Sequence, residues 1–207
     1  EVLDKQQNIN SFHEFYAWYG SSKPLPWKCD YDLLKDNLKL LFLNDTSFVC
    51  DSAYYYLPYL EYLINNHQSL LIGNVKYKLK IIHIYRTKKD VIQSYINYLR
   101  NRNVCHWRDK DDNLFRKDNI WDNSYPTYNF DTLEENVDKY YDEYISTMKK
   151  LSIKYPGFIK EFYFTDLLNN PLEQQNMYKF IEYNNYTISS VQINKSNEIL
   201  SSGNIKI

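Results

Sequence analysis

Glycine and cysteine are the scarce residues of this chain, with four and three in 207. No G-x-x-x-x-G-K-[ST] string occurs, which counts against a nucleoside-triphosphate loop of that kind within the sequence. The cysteines, Cys29, Cys50 and Cys105, are odd in number and lack paired metal spacing, so thiols are expected rather than a disulfide framework. Cys105 adjoins His106, but two ligands do not make a zinc site, and no metal is expected. No run of about 18 apolar residues is present, so the sequence encodes no membrane-spanning helix. The opening residues, EVLDKQQNIN, are polar and do not read as a signal peptide. The sequence does not begin with Met, so a targeting segment upstream of residue 1 and the compartment both stay open. Charge of either sign is not in excess: 25 basic against 26 acidic residues give a net charge of −1. That gives no support to bulk electrostatic binding of nucleic acid and leaves room for a local basic pocket.

What the chain has in abundance is tyrosine, 22 residues, with a length that supports one domain and a substantial core. Most of the tyrosines are expected to pack amphipathically, ring inward and hydroxyl wet. Phe12, Phe15, Tyr16 and Tyr19 recur at helical spacing and predict a helix over 11–20, closed by Gly20. Leucines predict a second helix over 31–42 and a third over 54–65, with Pro58 near its first turn. Ser47 to Cys50 is a short strand candidate. Lys80 to Tyr85 is the clearest strand, nearly continuous in apolar character, as in parallel strands buried on both faces. A helical stripe follows through Val91, Ile92, Tyr95, Ile96 and Leu99. The stretch WDNSYPTYNFD reads as a surface excursion, followed by a long helix over 132–153, a strand over 158–164 and a helix over 172–183. The alternation predicts an α/β fold with a mainly parallel sheet flanked by helices, in a single domain over 1–207.

Arg86 ends the apolar strand, and the helix after it points its N-terminus at the same place. In open α/β sheets ligands bind beyond the carboxyl ends of strands. Backbone N–H groups, the helix dipole and a guanidinium fork together suit an anion. Ser94 reaches such an anion if the ligand lies along the helix flank. The alternative is that Arg86 pairs with a carboxylate such as Asp90 and that Ser94 merely packs.

IIHIYRTKKDVIQSY resembles the 3′-phosphate-binding segment of PAPS-dependent sulfotransferases. In that family an apolar strand ends in Arg, a [KR]D pair follows, and a Ser stands eight residues after the Arg. Arg86, Lys89-Asp90 and Ser94 are in that register. The resemblance implies that Arg86 and Ser94 hold the 3′-phosphate of PAPS (3′-phosphoadenosine 5′-phosphosulfate) and of its product, adenosine 3′,5′-bisphosphate. FIKEFYFTDLLNNPLEQQNMYKFIEY (158–183) resembles the family's later strand and helix, with Phe164-Thr165-Asp166-Leu167 where many members have Tyr-Glu-Asp-Leu. Phe164 is then a candidate adenine contact, with core packing as its alternative. In FVCDSAYYYLPYLEYLI (48–64), Asp51 stands where some members carry an acidic residue between a strand and a helix. It is the candidate general base for removing the acceptor's proton, with a cap or turn role as the alternative. His67 and His83 are not in the equivalent stretch, and His83, inside a strand, reads as structural.

The resemblance covers 48–183 and implies a P-loop-NTPase-like architecture. It omits the family's early strand with its [KR]-S-G-T-[ST] loop, whose N–H groups cradle the 5′-phosphosulfate. Gly20-Ser21-Ser22-Lys23 is the nearest string, but it follows a helix-like pattern. The expectation is that the first strand and its loop precede residue 1. The family's C-terminal basic-glycine motif is not evident either, Lys195 and Ser196 being weak substitutes. The expected function is sulfuryl transfer from PAPS to a hydroxyl or amine acceptor. The alternatives are a non-catalytic binding protein on that scaffold, using the aromatic stretch 121–130, and a nucleotide kinase.

Overall fold

The computed structural model describes residues 3, 6–14, 24–42, 48–69, 77–102, 107 and 121–188. Four short strands and six α-helices are formed among them: β1 (Ile9–His13), α1 (Tyr31–Leu41), β2 (Phe48–Ser52), α2 (Leu60–Asn66), β3 (Ile81–Tyr85), α3 (Lys88–Arg102), α4 (Leu133–Lys154), β4 (Ile159–Tyr163), α5 (Phe164–Asn169) and α6 (Pro171–Phe180). β1 pairs with β2 and β3 with β4, both parallel, so two two-stranded ladders stand in place of one sheet.

The side chains show how the ladders are covered. Ile9, Phe48, Ile82 and Phe162 meet Leu167, Met177 and Tyr178 of α5 and α6. Phe12, Val49, Ile81 and Ile159 meet α1, α2 and α4 through Leu34, Leu38, Leu63, Met148 and Leu151. Each strand contributes to both clusters, as alternation across a strand requires. Both ladders therefore lie between the same two helical layers. A third cluster joins α3 to α4 through Ile96, Leu99, Leu133 and Val137, with Trp107 and Tyr125.

Several expectations are revised. Residues 9–13 form a strand, which overturns the helical reading of 11–13; 15–20 and the string Gly20–Lys23 lie outside the described residues. Parallel pairing with β2 in the register Ile9↔Phe48 to His13↔Ser52 is what makes these residues a strand. The helix over 54–65 opens as a 3-10 segment, Tyr54–Tyr59, containing Pro58, and becomes α-helical only from Leu60. Pro58 lacks the N–H that a regular helical ladder needs.

β3 is less buried than its composition suggests. Ile84 is 49% and Tyr85 38% exposed, and only His83 is fully enclosed. The stretch 121–131 is a surface excursion only in part: Asn123, Thr127 and 129–131 are exposed, whereas its middle is held inside. Ser124 and Tyr125 are buried, and the Trp107 indole N–H donates to the Pro126 carbonyl at 2.8 Å. The tyrosines also go deeper than expected. Tyr55, Tyr59 and Tyr178 are fully enclosed, and the Tyr59 hydroxyl works inside, donating to the Pro26 carbonyl (2.6 Å) and accepting from the Asp30 N–H (3.0 Å).

The helix ends follow local chemistry. Asp30 caps α1 and Asn170 caps α6, with Pro171 at its first turn. Thr132 and Glu135 close a reciprocal capping box on α4. Residues 183–188 reach back to the start of the described chain, the tail after Asn184 having been left unassigned from sequence. The Gln6 amide bonds both the N–H and the C=O of Thr187, at 2.8 and 3.0 Å. The Tyr183 hydroxyl donates to the Gln7 carbonyl, and Tyr186 stacks on Tyr178 at 4.6 Å. No helix among the described residues is long and apolar enough to cross a membrane.

Candidate functional site

The parallel register of β3 and β4 pairs Tyr85 with Tyr163, so the next residues, Arg86 and Phe164, leave the ladder side by side. The Arg86 guanidinium lies over the Phe164 ring, 5.2 Å from its centre. This cation–π contact takes one face of the guanidinium and leaves its in-plane N–H donors available. Among the described residues Arg86 has no ion pair. The pairing of Arg86 with Asp90 does not occur. The Asp90 carboxylate accepts from the Thr87 hydroxyl at 2.6 Å, and the Asp90 N–H donates back to Thr87 Oγ1 at 3.2 Å. Thr87 and Asp90 thus cap the start of α3, satisfying one of its free N–H groups. The sequence places Asp90 in the turn after β3, and the Thr-x-x-Asp spacing is a readable sign of the cap itself.

The corner between β3 and α3 is fastened from a distant helix. The Tyr141 hydroxyl donates to the Arg86 carbonyl at 2.9 Å. Lys88, the first residue of α3, meets Asp138 Oδ1 at 2.7 Å and Asp142 Oδ1 at 2.9 Å. The hydrogen bonds that the Lys88 ammonium donates to Asp138 and Asp142 hold it more firmly protonated than usual, and burial pushes the Tyr141 phenol upward. No local pattern links residues 86–88 to 138–142, so nothing in the sequence announced these contacts. Lys89, beside the corner, is exposed.

Ser94 is exposed on α3, on the side opposite the buried Ile92–Ile96 stripe. Seven helical steps from Thr87 correspond to about 10 Å of axis. Asp51 belongs to the other ladder. It lies within β2, opposite Phe12, rather than after the strand, and its Oδ2 accepts from the Tyr56 hydroxyl at 2.8 Å. It is not the cap of the 3-10 segment, whose cap position is Ala53. The structure thus brings Arg86 and Phe164 into contact, sets Ser94 on the adjoining helix, and leaves Asp51 on the β1–β2 ladder.

The two histidines weighed against Asp51 have structural partners. His83 Nδ1 is 3.0 Å from Glu161 Oε1 across the ladder, and His67 Nδ1 is 2.7 Å from the Ile64 carbonyl. Among the described residues no group of three His, Cys, Asp or Glu side chains is placed to hold a metal ion.

Arg86, the start of α3 and the half-buried Phe164 form a cationic corner beside an aromatic face. Such a corner suits a phosphate attached to a planar ring system. Comparison with protein-family models, with curated proteins and with solved structures found no match.

Proposed function

We propose that the chain binds a 3′-phosphorylated adenine nucleotide at the β3–β4 rim and is a sulfotransferase, moving a sulfuryl group from PAPS to a hydroxyl or amine acceptor. The observation that carries the reading is the Arg86–Phe164 contact at the ends of two paired parallel strands. A guanidinium whose face rests on an aromatic ring keeps its edge for bidentate phosphate contact. In this reading Arg86 grips the 3′-phosphate, Ser94 adds a hydroxyl along the helix flank, and Phe164 meets the adenine. Asp51 accepts the acceptor's proton as the S–O bond forms. Transfer is in-line, and most of the rate comes from positioning and charge stabilisation. A P-loop-like sulfotransferase architecture is part of this proposal, and the parallel ladders between two helical layers are consistent with it.

The test is calorimetric titration of adenosine 3′,5′-bisphosphate into the full chain and into Arg86→Ala. Wild type is expected to bind in the micromolar range, on the order of −8 kcal/mol. Loss of the charge-assisted contact is expected to cost at least about 1.5 kcal/mol. An unchanged affinity in the variant rejects the assignment of Arg86.

One observation favours a second reading, a nucleotide-binding protein without transfer activity. The Asp51 carboxylate already takes a hydrogen bond from the Tyr56 hydroxyl, so one of its oxygens is engaged within the protein before any acceptor arrives. Binding of adenosine 3′,5′-bisphosphate with no turnover of PAPS on any phenol, sugar or amine would select it. Preference for ATP over the bisphosphate would instead select a nucleotide kinase.

A further inference from the structure

We propose that one face of α4, carrying Asp138, Tyr141 and Asp142, sets both the geometry and the charge of the Arg86 anion site. The inference rests on the phosphate-binding reading of that site. The three residues are spaced i, i+3 and i+4 and so share a face of the helix. They act on consecutive parts of one corner: Tyr141 on the Arg86 carbonyl, Asp138 and Asp142 on the Lys88 ammonium. A backbone carbonyl and a side chain two residues on are thereby tied to a single rigid helix. With its main chain so fixed, Arg86 has its side chain directed over Phe164.

The charge consequence is separate. Lys88 stands at the N-terminus of α3, where a free ammonium would be a second cation for any bound anion. Two carboxylates hold it instead, and the trio carries a net charge of −1. The corner therefore offers the planar fork of Arg86 without the less directional charge of Lys88. That arrangement favours a ligand matched to bidentate contact over polyanions in general. The carboxylates are about half exposed, so their hold on Lys88 weakens with salt. Asp138, Tyr141 and Asp142 touch no ligand in this scheme; they are positioning residues.

The experiment titrates adenosine 3′,5′-bisphosphate into the full-length wild type, Tyr141→Phe, Asp138→Asn/Asp142→Asn and the same double variant carrying Lys88→Gln, over a range of NaCl concentrations. Tyr128→Phe is the control, since it removes a different tyrosine hydroxyl bonded to α4, through Glu143. Tyr141→Phe is expected to bind about three- to tenfold more weakly, the equivalent of one hydrogen bond, and Tyr128→Phe to bind as wild type. The Asn double variant is expected to bind more tightly at low ionic strength and to lose affinity more steeply with salt, and adding Lys88→Gln is expected to bring the slope back part of the way toward the wild-type value. A purely structural role would lower thermal stability without changing that slope. Unchanged affinity in Tyr141→Phe, or an unchanged salt slope in the double variant, overturns the inference; a loss of binding in Arg86→Ala would then still uphold the phosphate site. Absence of binding by wild type overturns both.

Discussion

The guanidinium of Arg86 rests 5.2 Å above the centre of the Phe164 ring, although the two residues are 78 positions apart in the sequence. They meet because β3 and β4 end in register, and each strand releases one of them at the same rim. Substitution of the ring tests what the contact contributes. Phe164→Leu keeps apolar bulk and removes the π-face. Adenosine 3′,5′-bisphosphate is expected to bind about two- to fivefold more weakly, the equivalent of an exposed cation–π contact. Calorimetry reads this directly, and an unaltered affinity would make the ring a packing residue only.

Asp51 separates binding from transfer. Asp51→Asn removes the proton acceptor while preserving shape and keeping an oxygen for the Tyr56 hydroxyl. Release of adenosine 3′,5′-bisphosphate from PAPS, followed across a panel of phenols, sugars and amines, is expected to fall by about 10²–10⁴-fold. Affinity for the bisphosphate should not change. A variant that turns over like wild type removes Asp51 from the mechanism.

The longest helix depends on its first turn. Thr132 and Glu135 exchange hydrogen bonds there, with the Thr132 hydroxyl accepting from the Glu135 N–H at 3.2 Å and the Glu135 carboxylate accepting from the Thr132 N–H at 3.1 Å. Thr132→Ala is expected to destabilise the fold by about 1 kcal/mol and to lower the melting temperature by about 2–4 °C. Scanning calorimetry checks this, and nucleotide affinity serves as the control that should hold.

High pH acts on the buried tyrosines. Burial raises the phenols of Tyr59, Tyr144 and Tyr178 to about 12 and pushes those of Tyr95, Tyr125 and Tyr140 up as well. Above a pH of about 10 an unfolded chain sheds these protons while the folded chain retains them. The unfolded state then binds fewer protons, so stability is intact below that pH and falls as pH rises toward 12. Denaturant titrations at successive pH values should show this decline, with phenolate absorbance growing in step with unfolding. Full ionisation of all 22 tyrosines in a still-folded protein would contradict it.

What the sequence disclosed follows the range of the forces involved. α1 and α3 were legible because leucines and isoleucines repeat at helical spacing, and β3 because five residues are enough to declare a strand. Arg86 could be marked as special because a cation terminating an apolar strand is a local anomaly. β1 was missed because only Phe12 of the aromatic series lies within it, and the pairing with β2 that makes it a strand joins residues about 40 positions apart. The burial of Tyr125 against Trp107 depends on two helices meeting elsewhere in the chain. The grip of Tyr141 on Arg86 bridges 55 residues and leaves no local trace.

The pairing of Ile9–His13 with Phe48–Ser52 bears on how the protein is handled. A recombinant version begun at Pro24 would strip β2 of its neighbour and bare a row of amide and carbonyl groups on the strand that bears Asp51. Such an edge recruits other strands, so the shortened product would tend to self-associate and precipitate. Loss of turnover in that material would report a missing neighbour strand and carry no information about catalysis.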